Sequence, residues 1–436
     1  MSMNAVFTCA VRYSVQAVCK TPLRTGAGET EDVLRDKSGQ MFLQGASLAG
    51  AFREWFTDRY SKASAAVLFG SQEQNGHLVF SDGMFEPDTV MITRPRLRIN
   101  GATGSADEGG KFDIAHAGTG SRFQFDLFWF GETEQRDELE KVEQMLSALH
   151  HGMILLGAQK SNGFGRVELT VTRHIYDMKN AADREDWFSD TFKGEKLALP
   201  AVSRRAQVEF RVKAHADQIL VKSGTPVYET VIKDDGKPVT ISYTPNLEEM
   251  GKAVIPGSSI KGAVLSRVRA IADLKKVPGT VLDEAFGRMN IREGEKKDNG
   301  MAGKFRFEDV FPVKPQKQKI ARIRIDRFTG GVIRQGLFRE EPLTGELTLR
   351  ITAPEGQKAA CGLLTYALRD LGLGFYNLGS NGAIGRGYLK ISEITAASGD
   401  ATMALYFDGQ GGCTLEDRQG LCRGWMEAVE EICHED

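Results

Sequence analysis

VIPGSSIKGAVLSRVR, residues 254–269, and FLQGASLAGAFR, residues 42–53, read as two versions of one element: a short apolar strand, a turn of small residues, then apolar residues at helical spacing. In this reading Ser47 and Ser259 fall where a helix N-cap is expected, and the neighbouring small residues let the helix pack closely. A helix N-terminus presents unpaired N–H groups and the positive end of the dipole, so each junction is a candidate anion site. Ser258 and Lys261 add a hydroxyl and a point charge in the second version, where the first has Ala46 and Ala49.

Working outward, the two elements belong to two divergent copies of one module. The first continues through VLFG, GHLVFSDG, RLRINGATG and GGKFDIAHAGTGSRFQFDL to LLGAQKSNGFGRVEL. The second continues through AFG, GKFRFEDV, RIRIDRFTGG and QGLFREEPLTGELTLRI to NLGSNGAIGRGYLKI. Matched positions keep their order at a nearly constant separation, from Gly45 with Gly257 to Asn100 with Asp326, and Arg166 is matched with Arg386. The chain therefore divides into a first domain over 1–172, a polar link over 173–205, a second domain over 206–395 and an extension over 396–436. The extension carries a glycine-rich turn and an amphipathic helix.

Each copy opens on an alternating strand, AVFTCAVRYSVQAV or AQVEFRVKAHADQIL, and closes on a second helix that feeds a glycine-rich turn and a last strand. The order strand, helix, strand, strand, helix, strand predicts an α+β fold of two tandem ferredoxin-like, RRM-like domains. The turns GAQKSNGFGR and GSNGAIGR let backbone approach a ligand closely. Lys160, Arg166 and Arg386 supply cations there, the arginines with planar donors that can fork a phosphate. Two glycine-bearing insertions, GATGSADEGG and GGVIRQG, are too polar for a core and too long for a tight hairpin.

Composition limits the function classes. At 436 residues and 41% hydrophobic, the chain can bury more than one core. No stretch approaches the roughly 20 apolar residues of a membrane span, and MSMNAVFTCAVRYSV lacks the layout of a secretory signal, so a cytoplasmic protein with no membrane partner is expected. The six cysteines form no CxxC pair, which predicts free thiols and no zinc site. The net charge of −2 gives no overall attraction to nucleic acid. Screening makes local density decisive, however, and TRPRLR (Thr93 to Arg98), SRR (Ser203 to Arg205) and KPQKQKIARIRIDR (Lys314 to Arg327) are basic clusters. The histidines form no HExxH pattern.

The helix start IPGSSIKGA, the IDRFTGG segment and the glycine-rich loop near each copy's end together resemble the RAMP superfamily of CRISPR systems, and in particular the backbone subunits of type III effector complexes. The resemblance covers roughly residues 5–170 and 205–395. It is looser in the first copy, where LQGASLAGA lacks the lysine and RINGATG replaces the acidic-basic pair. The resemblance implies two RAMP domains that hold guide (CRISPR) RNA by sequence-independent backbone contacts, organise its pairing with target RNA, and assemble with other type III subunits. The insertions, over Asn100 to Asp113 and Asp326 to Glu340, would be thumbs that wedge between nucleotides. Ser47, Lys160, Arg166, Ser258, Ser259, Lys261, Arg327 and Arg386 are the expected RNA contacts.

Relatives that cut target RNA carry an aspartate six residues ahead of the acid of a V-I/L-R/K-D segment. Here that segment is Val33 to Asp36 and Val231 to Asp234, and counting back reaches Thr30 and Tyr228. Neither is acidic. Glu31 and Asp32 lie beside the first position, and Asp32 is the candidate carboxylate for orienting the 2′-hydroxyl nucleophile or magnesium or another divalent metal; RNA binding itself needs no cofactor. Two alternatives stay open: a purely structural tile, and a guide-processing endoribonuclease of the same superfamily.

Overall fold

The central strand of the first copy, Cys9–Cys19, alternates as the sequence reading expects: Val11, Tyr13, Val15 and Ala17 are buried on one face while Ser14 and Gln16 point the other way. In a computed structural model that describes residues 7–26, 32–99, 106–132, 136–202, 207–232, 236–288, 292–293, 296–297 and 300–433, this strand lies between Arg122–Gly131 and Val167–Asp177, antiparallel to both. Val11 faces Trp129 and Val15 faces Phe125 in the register. Gly83–Phe85 and Leu78–Phe80 pair with the far side of Arg122–Gly131. Counting main strands in chain order, the sheet runs 4-1-3-2, with helices Gly45–Arg59 and Arg136–His150 as the two connections.

The second copy repeats this. Gln207–Ile219 lies between Leu343–Pro354 and Leu389–Ser398, with Arg306–Phe307 beyond, again 4-1-3-2 and antiparallel. Helices Gly257–Lys275 and Lys358–Gly372 make the connections. Ile260, Val264, Val268 and Ala272 recur every fourth residue on the buried face, as Leu48, Phe52 and Phe56 do in the first copy. Each copy has its own apolar core. By contacts the chain divides into one unit of residues 1–96 and 112–204 and another of 97–111 and 205–436.

Two additions depart from the bare module. The stretch read as a link folds onto the first copy: helix Ala181–Phe188 sets Trp187 edge-on to Phe128, Phe130 and Tyr176 on the sheet face opposite the core. Arg12 ties this strap down through Asp190 at 2.6 Å. In the second copy, strands Ala401–Phe407 and Cys413–Glu416 widen the sheet, and the amphipathic helix Leu421–Cys433 covers Lys358–Gly372. Contact is so close that a side chain at Gly362 would meet Trp425 and Val429. All six cysteines are free thiols. No helix among the described residues is long and apolar enough to cross a membrane.

Candidate nucleic-acid interface

The glycine-rich loops of the two copies share one backbone. In the first, the Leu156 N–H donates to the Gly165 carbonyl at 2.9 Å, the Gly165 N–H to Pro22 at 2.9 Å and the Ala158 N–H to Arg24 at 2.9 Å. In the second, Leu378 donates to Gly387 at 2.9 Å, Gly387 to Gln218 at 2.7 Å and Ser380 to Leu220 at 2.8 Å. Left-handed residues fall at Gln159, Gly163 and Gly165, and at Asn381, Gly385 and Gly387. A Cβ at Gly165 or Gly387 would overlap the carbonyl oxygen of Leu156 or Leu378, so only glycine closes the loop there.

This correspondence corrects the pairing read from the sequence. Arg166 matches Tyr388, and Arg386 matches Phe164; the two Gly-Arg dipeptides are aligned by composition but stand two positions apart in the loop. Their surroundings differ accordingly. Arg386 is buried, with Nη2 2.7 Å from Glu340 Oε2 and Nη1 donating to Gln218 Oε1 at 3.0 Å. Glu340 also accepts from Asn381 at 2.5 Å and from Arg322 at 3.3 Å, which makes it the hub beneath the second loop. Beneath the first loop, Phe164 packs against His116 at 5.1 Å between ring centroids, with the Arg94 and Arg96 guanidiniums 5.3 and 6.0 Å from its centre. Burial, then the field of Arg94, pushes the His116 pKa down to about 3, leaving the imidazole neutral at neutral pH. Arg166 is exposed and lies along Gly152, and Lys160 Nζ stands 3.6 Å from Glu54.

The serines are not N-caps. The helices begin at Gly45 and Gly257, so Ser47 and Ser259 sit in the third helical position, exposed, with Ser258 and Lys261 half-buried. The cap comes instead from across the fold. Asp82 Oδ1 accepts the Gly45 N–H and Asp309 Oδ1 the Gly257 N–H, both at 2.7 Å. These aspartates are the matched acids of GHLVFSDG and GKFRFEDV. A carboxylate at each helix start already answers the first unpaired N–H and the dipole.

The insertions are β-ribbons. In the second copy Ile320–Ile325 pairs with Val332–Glu340, and the hairpin of Val227–Ile232 with Pro238–Thr244 joins alongside to make a four-stranded sheet. The ribbon turns tightly because Asp326 Oδ1 accepts the N–H groups of Phe328 at 2.9 Å and Thr329 at 2.8 Å, bonds that also hold its pKa below the usual value. GGVIRQG is therefore part of a ladder and not an irregular loop. At the tip Phe328 is 99% exposed beside exposed Arg327. In the first copy Met91–Ile99 pairs with Ala106–Ala117, and residues 100–105, part of the stretch read as a thumb, lie outside the described residues.

Among the candidate acids, Asp32 is exposed and its Oδ1 accepts the Val33 N–H at 2.7 Å; Glu31 and Thr30 lie outside the described residues. In the second copy Tyr228 is 68% exposed, and Glu229 is held by Lys319 at 2.6 Å and Arg339 at 3.0 Å, which keeps its carboxylate below the usual range. No group of three or more His, Cys, Asp or Glu among the described residues is placed to hold a metal. Sequence reading missed Asp82, Asp309, Glu340 and Phe328; the matched aspartates of the repeats and the phenylalanine inside IDRFTGG were the available signals.

The sequence model of the RAMP superfamily matches residues 16–168 and 220–390. No curated protein matches. Among solved structures, one similar chain comes from the cryo-EM structure of a type III-B Cmr-beta bound to cognate target RNA. It is 14% identical with a TM-score of 0.33, over 39% of this chain and 61% of that one, less than two thirds of its length.

Proposed function

This chain belongs to the RAMP superfamily, and we propose that it is a backbone subunit of a CRISPR type III effector, a double tile that binds guide RNA and organises its pairing with target RNA beside other subunits. The observation that carries the reading is the second ribbon's tip. Phe328 is 99% exposed beside exposed Arg327, at the turn of a ribbon whose strand Ile320–Ile325 also carries Arg322 and Arg324, and its apolar ring has no role in the chain's own core. An aromatic residue beside guanidinium groups suits the faces and phosphates of a single strand whatever its sequence. Each copy has a glycine-rich loop of the same backbone geometry, and cations and hydroxyls suited to phosphate stand at Arg166 and Lys160 in the first copy and at Lys261, Ser258 and Ser259 in the second. Arg386 would act by fixing Glu340 and the loop.

The test is fluorescence anisotropy of the full chain with single-stranded guide-length RNA. Phe328→Ala should weaken binding about tenfold, the order expected for one lost stacking contact. Wild-type affinity in that variant would remove the reading's main support.

Cleavage of target RNA by the first module, through Asp32 and Glu31, is the finer part of the proposal. The exposed Asp32 carboxylate fits an ion such as magnesium that RNA phosphate oxygens also hold, and it does not by itself make a resident metal site. Histidine-based guide processing has less behind it: His116 is buried and neutral, His150 accepts the Leu169 N–H, and His77 is paired with Glu138.

A further inference from the structure

The four-stranded sheet of the second copy carries a cross-strand row of aromatic, hydroxyl and basic residues. Tyr228 faces Ser242, Ser242 faces Phe338, and Phe338 faces Arg322, each as a register pair. Paired residues project from the same face of a sheet. The opposite face holds Glu229, Ile241, Tyr243 and Arg339, where Ile241 is buried and Glu229 ties Lys319 to Arg339. At its Tyr228 end the row opens to solvent, with Tyr228 68% exposed, Ser242 and Phe338 half-buried, and Glu340, two residues further along the same face, buried.

The spacing of the row is specific. Neighbouring strands stand about 4.8 Å apart, so Tyr228 and Phe338 straddle Ser242 at about 9.6 Å. Two rings that far apart at their roots, with only a hydroxymethyl group between, leave a slot. A planar base stacked on both sides needs about 7 Å between rings, twice the ordinary carbon contact distance, which a small inward lean of Tyr228 supplies. The Phe338 ring is backed by the guanidinium carbons of Arg322 at 6.0 Å and Arg324 at 5.4 Å. Arg322 in turn reaches Glu340, the hub under the second glycine-rich loop. Aromatic walls, a small polar floor and two cations favour a nucleobase with its phosphate over an acidic peptide, which offers no flat face to stack.

We propose that Tyr228, Ser242 and Phe338 form a slot that takes one unpaired RNA base, with Arg324 on the adjoining phosphate. The proposal rests on the reading of the chain as an RNA-binding tile and adds where one base is held. Tyr228 stands where the resemblance leads one to expect the acid of a cleaving copy.

The experiment uses the full chain and single-stranded RNA carrying 2-aminopurine, whose fluorescence is quenched on stacking. Wild type should quench the probe. Tyr228→Ala should lose the quench and about tenfold in affinity with an unchanged salt slope, because stacking releases no counterions. Tyr228→Phe should restore both, and Arg324→Ala should reduce the salt slope by about one. Since Tyr228 is exposed, its loss leaves the core intact. If Tyr228→Ala quenches and binds as wild type while Phe328→Ala is impaired, the slot is wrong and the RNA-binding reading stands. If wild type binds no RNA, both fail. If Tyr228→Ala binds RNA normally yet no longer assembles with partner subunits, the row is a protein contact and the slot is overturned.

Discussion

Lowering the pH should weaken the first module through one residue. His116 is fully buried, its ring 5.1 Å from that of Phe164, and burial together with Arg94, Arg96 and Arg24 pushes its pKa from 6.5 to about 3. In the unfolded chain the imidazole returns to about 6.5. Between those values the unfolded state binds more protons than the native state, so stability is full above about pH 6.5 and is lost progressively as pH falls toward 3. At pH 5 the population factor is about thirty, or about 2 kcal/mol relative to pH 7.5. Urea unfolding followed by tryptophan fluorescence reports it, since Trp55, Trp129 and Trp187 lie in the first module. Wild type should lose about 2 kcal/mol more than His116→Gln between pH 7.5 and 5. Equal losses in the two proteins would refute the argument.

In the second module Asp370 is 1% exposed and binds Arg267 and Arg369 at 2.7 Å each. Asp370→Ala leaves two cations facing each other and should cost about 3 to 5 kcal/mol in thermal or urea unfolding; a loss under about 1 kcal/mol would mean the pair is solvated. Gly385 and Gly387 both have positive φ, but only Gly387 has a carbonyl where a Cβ would go. Gly387→Ala should therefore destabilise clearly more than Gly385→Ala, and equal effects would mean that strain alone acts. Asp32→Ala should abolish one class of target-RNA cuts in a reconstituted assembly and leave guide binding intact. The second module should add no cut, because Glu229 is engaged by Lys319 and Arg339; two cut positions per chain would place the chemistry elsewhere.

The module order was legible because alternation of small and β-branched residues in CAVRYSVQAVC and its counterpart leaves little choice but a half-buried strand, and because repetition checked each assignment against a second. The helix caps were not. A serine near a helix start resembles a cap in any local reading, whereas the real caps, Asp82 and Asp309, lie 37 and 52 residues away and reach the helix only through the folded sheet. The loop arginines were mispaired for a related cause. Side-chain identity suggested Gly165-Arg166 with Gly385-Arg386, but left-handed backbone positions decide the correspondence, and these are invisible until φ is known. The strap was read as a link because its polar residues outnumber Trp187, although one tryptophan against three aromatic rings is enough to fix a short helix. Tyr228 was noted only as a missing acid, since the row it forms with Ser242 and Phe338 joins segments about 100 residues apart.

Whether each copy holds its own stretch of a guide strand can be read by hydroxyl-radical footprinting of guide RNA bound to the full chain. Two separate protected tracts per chain are expected, one of which loses protection when Phe328 is replaced by alanine while the other persists. A single tract, or two that vanish together in that variant, would contradict separate binding by the two copies.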